Sequence, residues 1–177
     1  MINLTVFCSS KDNINNDFHL EIQNFIKLLD VYKFNIVYGG GTCGLMGTVR
    51  RIFIESDGNI ISSNVNKFVE PYINDDYVFD NINERQKKLF ELGDAYLILP
   101  GGYGTCSEMF EVMTKNDIEE CSKPIFIFNC CHIFDNLINL FNDLKFNGLI
   151  TKDFNKIKVT ICSNPNELAD IINNYCF

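Results

Sequence analysis

The chain alternates about six times between a short apolar run and a longer amphipathic segment, and that rhythm admits few folds. The short runs are "INLTVFC" (2–8), "FNIVY" (34–38), "NIISS" (59–63), "AYLIL" (95–99), "PIFIF" (124–128) and "KVTI" (158–161). They are apolar without strict alternation, the pattern of strands covered on both faces. Between them, "FHLEIQNFIKLLDVY" carries Leu20, Ile22, Phe25, Ile26, Leu28 and Leu29 near helical spacing, and "HIFDNLINLFNDLKF" repeats the pattern. Strands joined by helices pair in parallel, and right-handed crossovers build a doubly wound sheet from them. The expected fold is α/β, a Rossmann-like doubly wound parallel sheet in a single domain over residues 1–177. Residues 64–82 are expected to form an irregular connection around Pro71 that edges a pocket.

Composition narrows the partners. A net charge of −8 argues against nucleic acid, because 15 scattered Lys and Arg cannot neutralise a run of phosphates, although a pocket for one phosphate stays open. No apolar run approaches the roughly 18 residues that span a bilayer, and "MINLTVFCSS" lacks the basic flank of a signal peptide. The expectation is a cytoplasmic protein with no membrane partner. Eight cysteines, several inside expected strands or helices, read as mostly buried free thiols rather than a disulfide framework. Cys130 and Cys131 are adjacent, but no CxxC meets a second CxxC or a His cluster, so no metal is expected. The abundance of asparagine reads as a compositional bias.

Two glycine-rich loops stand at strand ends. "YGGGTCGLMG" leaves the second strand with Gly39, Gly40 and Gly41, and "LPGGYGTCSE" leaves the fourth with Gly101, Gly102 and Gly104 before a helix that opens on Thr105, Ser107 and Glu108. Glycine there permits positive φ and close approach, while a helix amino-terminus offers unpaired N–H groups and partial positive charge. A pair of such loops beyond one sheet suits a phosphate better than two tight turns. Neither is a Walker motif, and the first strand ends in "FCSSKDN" rather than GxGxxG, which removes the main support for an ATPase or an NAD dehydrogenase.

Glu108 and Glu111 share a helix face, where Glu108 either caps the helix or points into the cleft and Glu111 takes a solvated or supporting role. Arg85, in "NERQKKLFELGDAY", belongs either to a solvated face or to a bidentate phosphate contact. Ser9, after the first strand, suits a ligand hydrogen bond or a helix cap equally. His19 and His132 have no nucleophile at a recognisable spacing, so a Ser-His-Asp or Cys-His mechanism has little backing.

"VYGGGTCGLMG" and "LPGGYGTCSE", with "VFCSS", "NERQKK", "KPIFIFN" and "NGLI" in the same order, resemble the Lonely guy (LOG) family of cytokinin riboside 5′-monophosphate phosphoribohydrolases. The resemblance implies a homodimer, free of metal or redox cofactor, that cleaves the bond between adenine, usually N6-substituted, and ribose 5-phosphate. It makes Glu108 the catalytic glutamate and Arg85 the arginine paired with it. It assigns phosphate binding to Gly101, Gly102, Tyr103, Gly104 and Thr105, lines the nucleotide site with Gly39 to Gly41, and brings Thr114 near the substrate. Lys67 and Glu70 fall where the family's substrate-contacting lysine and glutamate are expected, on a connection shorter than usual. The chain departs from the pattern at Gln86, where the family reads Lys, and at Ser107, where it reads Glu. A module that binds nucleotide without cleaving it is the alternative reading.

Overall fold

The computed structural model describes residues 1–177. Seven strands form one parallel sheet: β1 (Ile2–Phe7), β2 (Phe34–Tyr38), β3 (Asn59–Val65), β4 (Tyr77–Phe79), β5 (Ala95–Ile98), β6 (Ile125–Phe128) and β7 (Val159–Cys162). Their spatial order is β4-β3-β2-β1-β5-β6-β7. Six helices connect or follow them: α1 (Asn16–Ile26), α2 (Gly44–Glu55), α3 (Ile82–Leu92), α4 (Tyr103–Asp117), α5 (Asp135–Phe146) and α6 (Pro165–Asn174). The doubly wound α/β expectation holds.

The strands bury both faces, and alternate residues feed two cores. Leu4 and Val6, Ile36 and Tyr38, Leu97 and Leu99, and Phe126 and Phe128 pack with α1, α2 and α6. Phe7, Val37, Tyr96 and Ile98, and Ile125 and Ile127 pack with α3, α4 and α5. Burying one such Phe or Leu side chain contributes about 1.5–3 kcal/mol, so the two cores hold the sheet and the strand ends stay free for other work.

Three expectations need correction. The connection at 64–82 is not irregular throughout: it carries a 3-10 turn (Asn66–Phe68) and β4, which pairs with β3 through Ser63↔Tyr77 and Val65↔Phe79. All eight cysteines are free, but only Cys8, Cys130 and Cys162 are buried; Cys43 and Cys131 lie exposed in strand-to-helix connections and Cys176 at the carboxyl terminus. Asparagine also has structural roles. Asn15, Asn81 and Asn164 cap α1, α3 and α6 by accepting backbone N–H bonds, each cap being worth about 1 kcal/mol. Asn59, Asn35 and Asn3 form a side-chain ladder across β3, β2 and β1, with bonds of 3.0 and 2.8 Å. No helix is long and apolar enough to cross a membrane.

Candidate functional site

Ligands in an open parallel sheet gather beyond the carboxyl ends of the strands, where the connections part in opposite directions. That point lies between β1 and β5 here, since β2 to β4 fall on one side and β5 to β7 on the other. Ser9 ties the loops together at this spot. Its N–H donates to the Pro100 carbonyl at 3.0 Å, and its carbonyl accepts from the N–H groups of Leu45 and Met46 at 2.9 and 3.1 Å. Its hydroxyl accepts from the Lys11 N–H at 3.1 Å, closing its own turn rather than capping α1.

The two glycine loops use their glycines differently. A Cβ on Gly39 would sit 2.0 Å from Arg85 Nη2, so the guanidinium lies directly on the backbone. Gly40 has φ +83° and is pressed by Asp75, whose Oδ1 is a buried oxygen without a hydrogen-bond partner. The protein's own side chains therefore crowd these two. In the second loop Gly101 is closed by Thr105, but a Cβ on Gly102 or Gly104 would meet nothing within 4 Å. Gly102 is the N-cap of α4 and supplies no side-chain bond to the first turn. The result is a bare helix end with open space around it, polarised to receive an anion.

Next to that helix end, Arg85 Nη1 and Glu108 Oε1 form an ion pair of 2.9 Å. Both residues are only 8% exposed. The Asn81 cap starts α3 so that Arg85 falls one turn in, where its Nε donates to the Ser63 carbonyl of β3 at 3.0 Å. One turn further along α4, Gln86 Nε2 donates to Glu111 Oε2 at 3.1 Å, so two parallel bonds lace α3 to α4. Burial pushes the Glu108 carboxyl above the ordinary carboxylate range; the charge and hydrogen bond of Arg85 pull it back, and Glu111 adds to the rise. Such a group holds its proton more readily than a free glutamate and stays pairable with a fixed cation.

A cavity of about 270 Å³ opens on the other side of Arg85. Ser10, Asn64, Glu70 and Arg85 form its polar wall, Met46, Val65, Phe68 and Ile82 its apolar wall, and Gly39 and Gly41 belong to its lining. Glu70 holds the first loop by accepting the Thr42 N–H at 3.1 Å and the Thr42 hydroxyl at 2.5 Å. Lys67 is exposed, its Nζ 4.6 Å from the Phe68 ring.

Of the residues singled out in the sequence, Gly39, Gly41, Glu70 and Arg85 line the cavity, and Ser9 ties together the loops that carry Gly39 to Gly41 and Gly101 to Gly104. Glu108 pairs with Arg85, and Glu111 lies a turn further along α4 beside Gln86. Tyr103 is 98% exposed in the first turn of α4. Gly101 to Thr105 do not wall the cavity; Arg85 does, and its guanidinium joins the cavity to Glu108. Thr114 is not brought to the loops. It lies nine residues beyond Thr105, about 13 Å along the helix axis, exposed beside an apolar groove that includes Phe110, Phe141 and Phe154. His19 bonds Thr48 and His132 contacts Asp135, and neither lines the cavity. No group of three or more His, Cys, Asp or Glu side chains is arranged to hold a metal ion. Sequence reasoning named none of Asn64, Val65, Phe68, Met46 and Ile82 individually; the signal for all but Met46 is the expectation that residues 64–82 edge a pocket, and Asn64 and Val65 are the last residues of β3.

A family model described as "Possible lysine decarboxylase" matches residues 43–172. The chain belongs to this family, the LOG family. A cytokinin riboside 5′-monophosphate phosphoribohydrolase of Rhodococcoides fascians is 26% identical over 167 residues, covering 91% of this chain and 84% of the relative. The enzyme of that name designated LOG2 in Arabidopsis thaliana is 25% identical over 178 residues, covering 97% and 83%. Among solved structures, the molybdenum cofactor binding protein of Rippkaea orientalis superposes with a TM-score of 0.68 at 16% identity, over 97% of this chain and 94% of that one. The structural genomics target TM1055 superposes at 0.70 with 14% identity, over 99% and 100%. These two likenesses establish the shared fold.

Proposed function

We propose that the protein hydrolyses the N-glycosidic bond of adenosine 5′-monophosphates, N6-substituted or plain, releasing the free base and ribose 5-phosphate in the cytoplasm. The observation that carries this reading is the buried Arg85–Glu108 pair beside the bare amino-terminus of α4. The 5′-phosphate takes the N–H groups of the first turn of α4, where Gly102 and Gly104 leave room. Cleavage builds oxocarbenium character on the ribose. The C1′–N9 bond breaks with its electron pair leaving on the base. The ionised Glu108 stabilises the ribose charge and orients the attacking water, whose proton it takes as the C–O bond forms, and the departing base takes up a proton from solvent. Arg85 serves as a fixed cation that holds Glu108 in place and offsets negative charge on the substrate. The relatives' names support the substrate class.

The family model's description points elsewhere, to a decarboxylase of lysine. Pyridoxal phosphate chemistry needs a Schiff-base lysine, and no lysine lines the cavity. A module that holds nucleotide without cleaving it is the competing reading, favoured by Gln86, whose neutral amide is spent on Glu111. One experiment separates the two. Purified protein incubated with AMP, and in parallel with isopentenyladenosine monophosphate, is expected to yield free base and ribose 5-phosphate. Glu108→Gln should lower kcat by about 10²-fold or more while keeping the melting temperature close to that of the parent. Calorimetric binding with both nucleotides recovered intact would sink the hydrolase and leave the binding module.

A further inference from the structure

Cys130 and Cys131 follow β6 one residue on, after Asn129, in the turn that leads into α5. Their sulfurs lie 3.6 Å apart, at van der Waals contact. The two thiols have opposite surroundings: Cys130 is buried in the core that contains Phe25 and Phe128, and Cys131 is exposed. The pair lies outside the candidate site, at the end of a strand two places from β1.

Neighbouring side chains on a strand point to opposite faces, so this juxtaposition needs a special backbone. Cys131 has φ 50° and ψ 25°, and His132 has φ 60°, which makes two consecutive left-handed residues without a glycine. L-residues avoid that region, and a pair of them persists only where the surroundings fix it. The fixing contacts come from Asn129. Its Nδ2 donates to Asp135 Oδ1 at 2.7 Å, its Oδ1 accepts the Phe134 N–H at 2.8 Å, and its carbonyl accepts the His132 N–H at 3.1 Å. The turn thus holds one buried and one accessible sulfur side by side.

We propose that Cys130 and Cys131 form a vicinal dithiol that peroxide converts reversibly into a disulfide. The exposed Cys131 reacts first. Its thiolate attacks one peroxide oxygen, the O–O bond breaks with release of one water, and Cys131 becomes a sulfenic acid. The Cys130 sulfur, already in contact, then attacks the Cys131 sulfur, the S–O bond breaks, and the second water leaves with the Cys130 proton. Two thiols are oxidised and one peroxide is reduced, with no other reactant. Burial and the neighbouring sulfur push the Cys130 thiol well up, which makes it the resolving partner rather than the one that meets oxidant. Adjacent Cα atoms are about 3.8 Å apart, below the range of about 4.4–6.8 Å that disulfides prefer. The bond is therefore strained and easily reduced, the property of a switch rather than a staple.

The test uses the full-length reduced protein treated with hydrogen peroxide, digested without reductant and mapped by mass spectrometry. The peptide holding both cysteines should lose two hydrogens and recover them with dithiothreitol. Cys131→Ser should keep its mass there and its fold. Phenylarsine oxide, which requires paired thiols, should bind this peptide in the parent, block its oxidation, and fail to bind it in Cys131→Ser. Oxidation of Cys131 to sulfinic or sulfonic acid with Cys130 untouched, or a link from either residue to another cysteine, would overturn the proposal.

Discussion

At the scale of single residues, the proposed chemistry centres on the pair Arg85–Glu108. A buried ion pair is weak evidence for stability, because desolvating both charges offsets most of their attraction. This one is held at 2.9 Å at the edge of a cavity, with Arg85 bound also to Ser63. A cost of that kind, placed beside a ligand-sized space, suits a functional group. The pKa of Glu108 gives a test with a definite sign. Burial raises it and Arg85 lowers it, and hydrolysis as proposed uses the ionised form. The acid limb of kcat/KM should therefore lie above the ordinary glutamate range. Arg85→Gln removes the lowering influence, so the limb should move to higher pH, with a smaller ionised fraction at every pH below it. A pH–rate profile of both proteins, recorded where each still melts cooperatively, checks this; an unmoved limb would show that another group titrates. Glu108 was legible in the sequence as either a cap or a cleft carboxylate, and only its partner in space decides between them.

At the scale of elements, legibility followed burial. The strands β1, β2, β3, β5, β6 and β7 stand out because both faces are covered and each reads as an apolar run. The strand β4 does not. It has three residues, sits at the sheet edge, and lies among Asp75, Asp76 and Asp80, so its pairing with β3 rests on the backbone, which sequence does not display. The connection around it supplies Phe68, Glu70 and Ile82 to the cavity; Glu70 was singled out in the sequence and an edge to a pocket was expected there, but the apolar walls Phe68 and Ile82 were not named. The glycine loops were visible, but their division of labour was not, and it makes a contrast that mutation can read. Gly102→Ala has open space, so its melting temperature should stay within a few degrees of the parent, while the added methyl enters the proposed phosphate space and raises KM. Gly39→Ala meets the end of the Arg85 side chain, which can swing away. Its fold should survive as well, but with Arg85 displaced from Glu108 the loss should fall mainly on kcat. Thermal melts with steady-state kinetics on both variants test the contrast, and equal effects on KM and kcat in the two would argue against separate roles.

At the scale of the whole molecule, the sheet spends its two faces on stability and leaves its carboxyl edge to the loops of the candidate site. The amino edge is sealed by the Asn3–Asn35–Asn59 ladder and by Asn3 bonding the Leu92 carbonyl. Charge is the remaining property of the whole chain, and it works against an anionic ligand. The protein carries −8, a nucleoside monophosphate carries nearly −2, and the cation lining the cavity is the buried Arg85. Long-range repulsion should then slow encounter at low ionic strength, where the Debye length is about 30 Å at 0.01 M, and fade near physiological salt, where it is about 8 Å. The groups proposed to meet the substrate, N–H groups at a helix end for the phosphate and a buried guanidinium beside it, act at short range and are partly shielded from solvent, so salt weakens them less. The expected outcome is that kcat/KM for AMP rises, by a factor of about two or three, between about 0.01 M and 0.15 M salt. Most enzymes that steer phosphorylated substrates with a positive field show the reverse trend. Rates measured across that range, with a neutral nucleoside as the control that should not respond, decide the matter: a steady fall in kcat/KM would mean that a local positive field at the loops outweighs the charge of the whole.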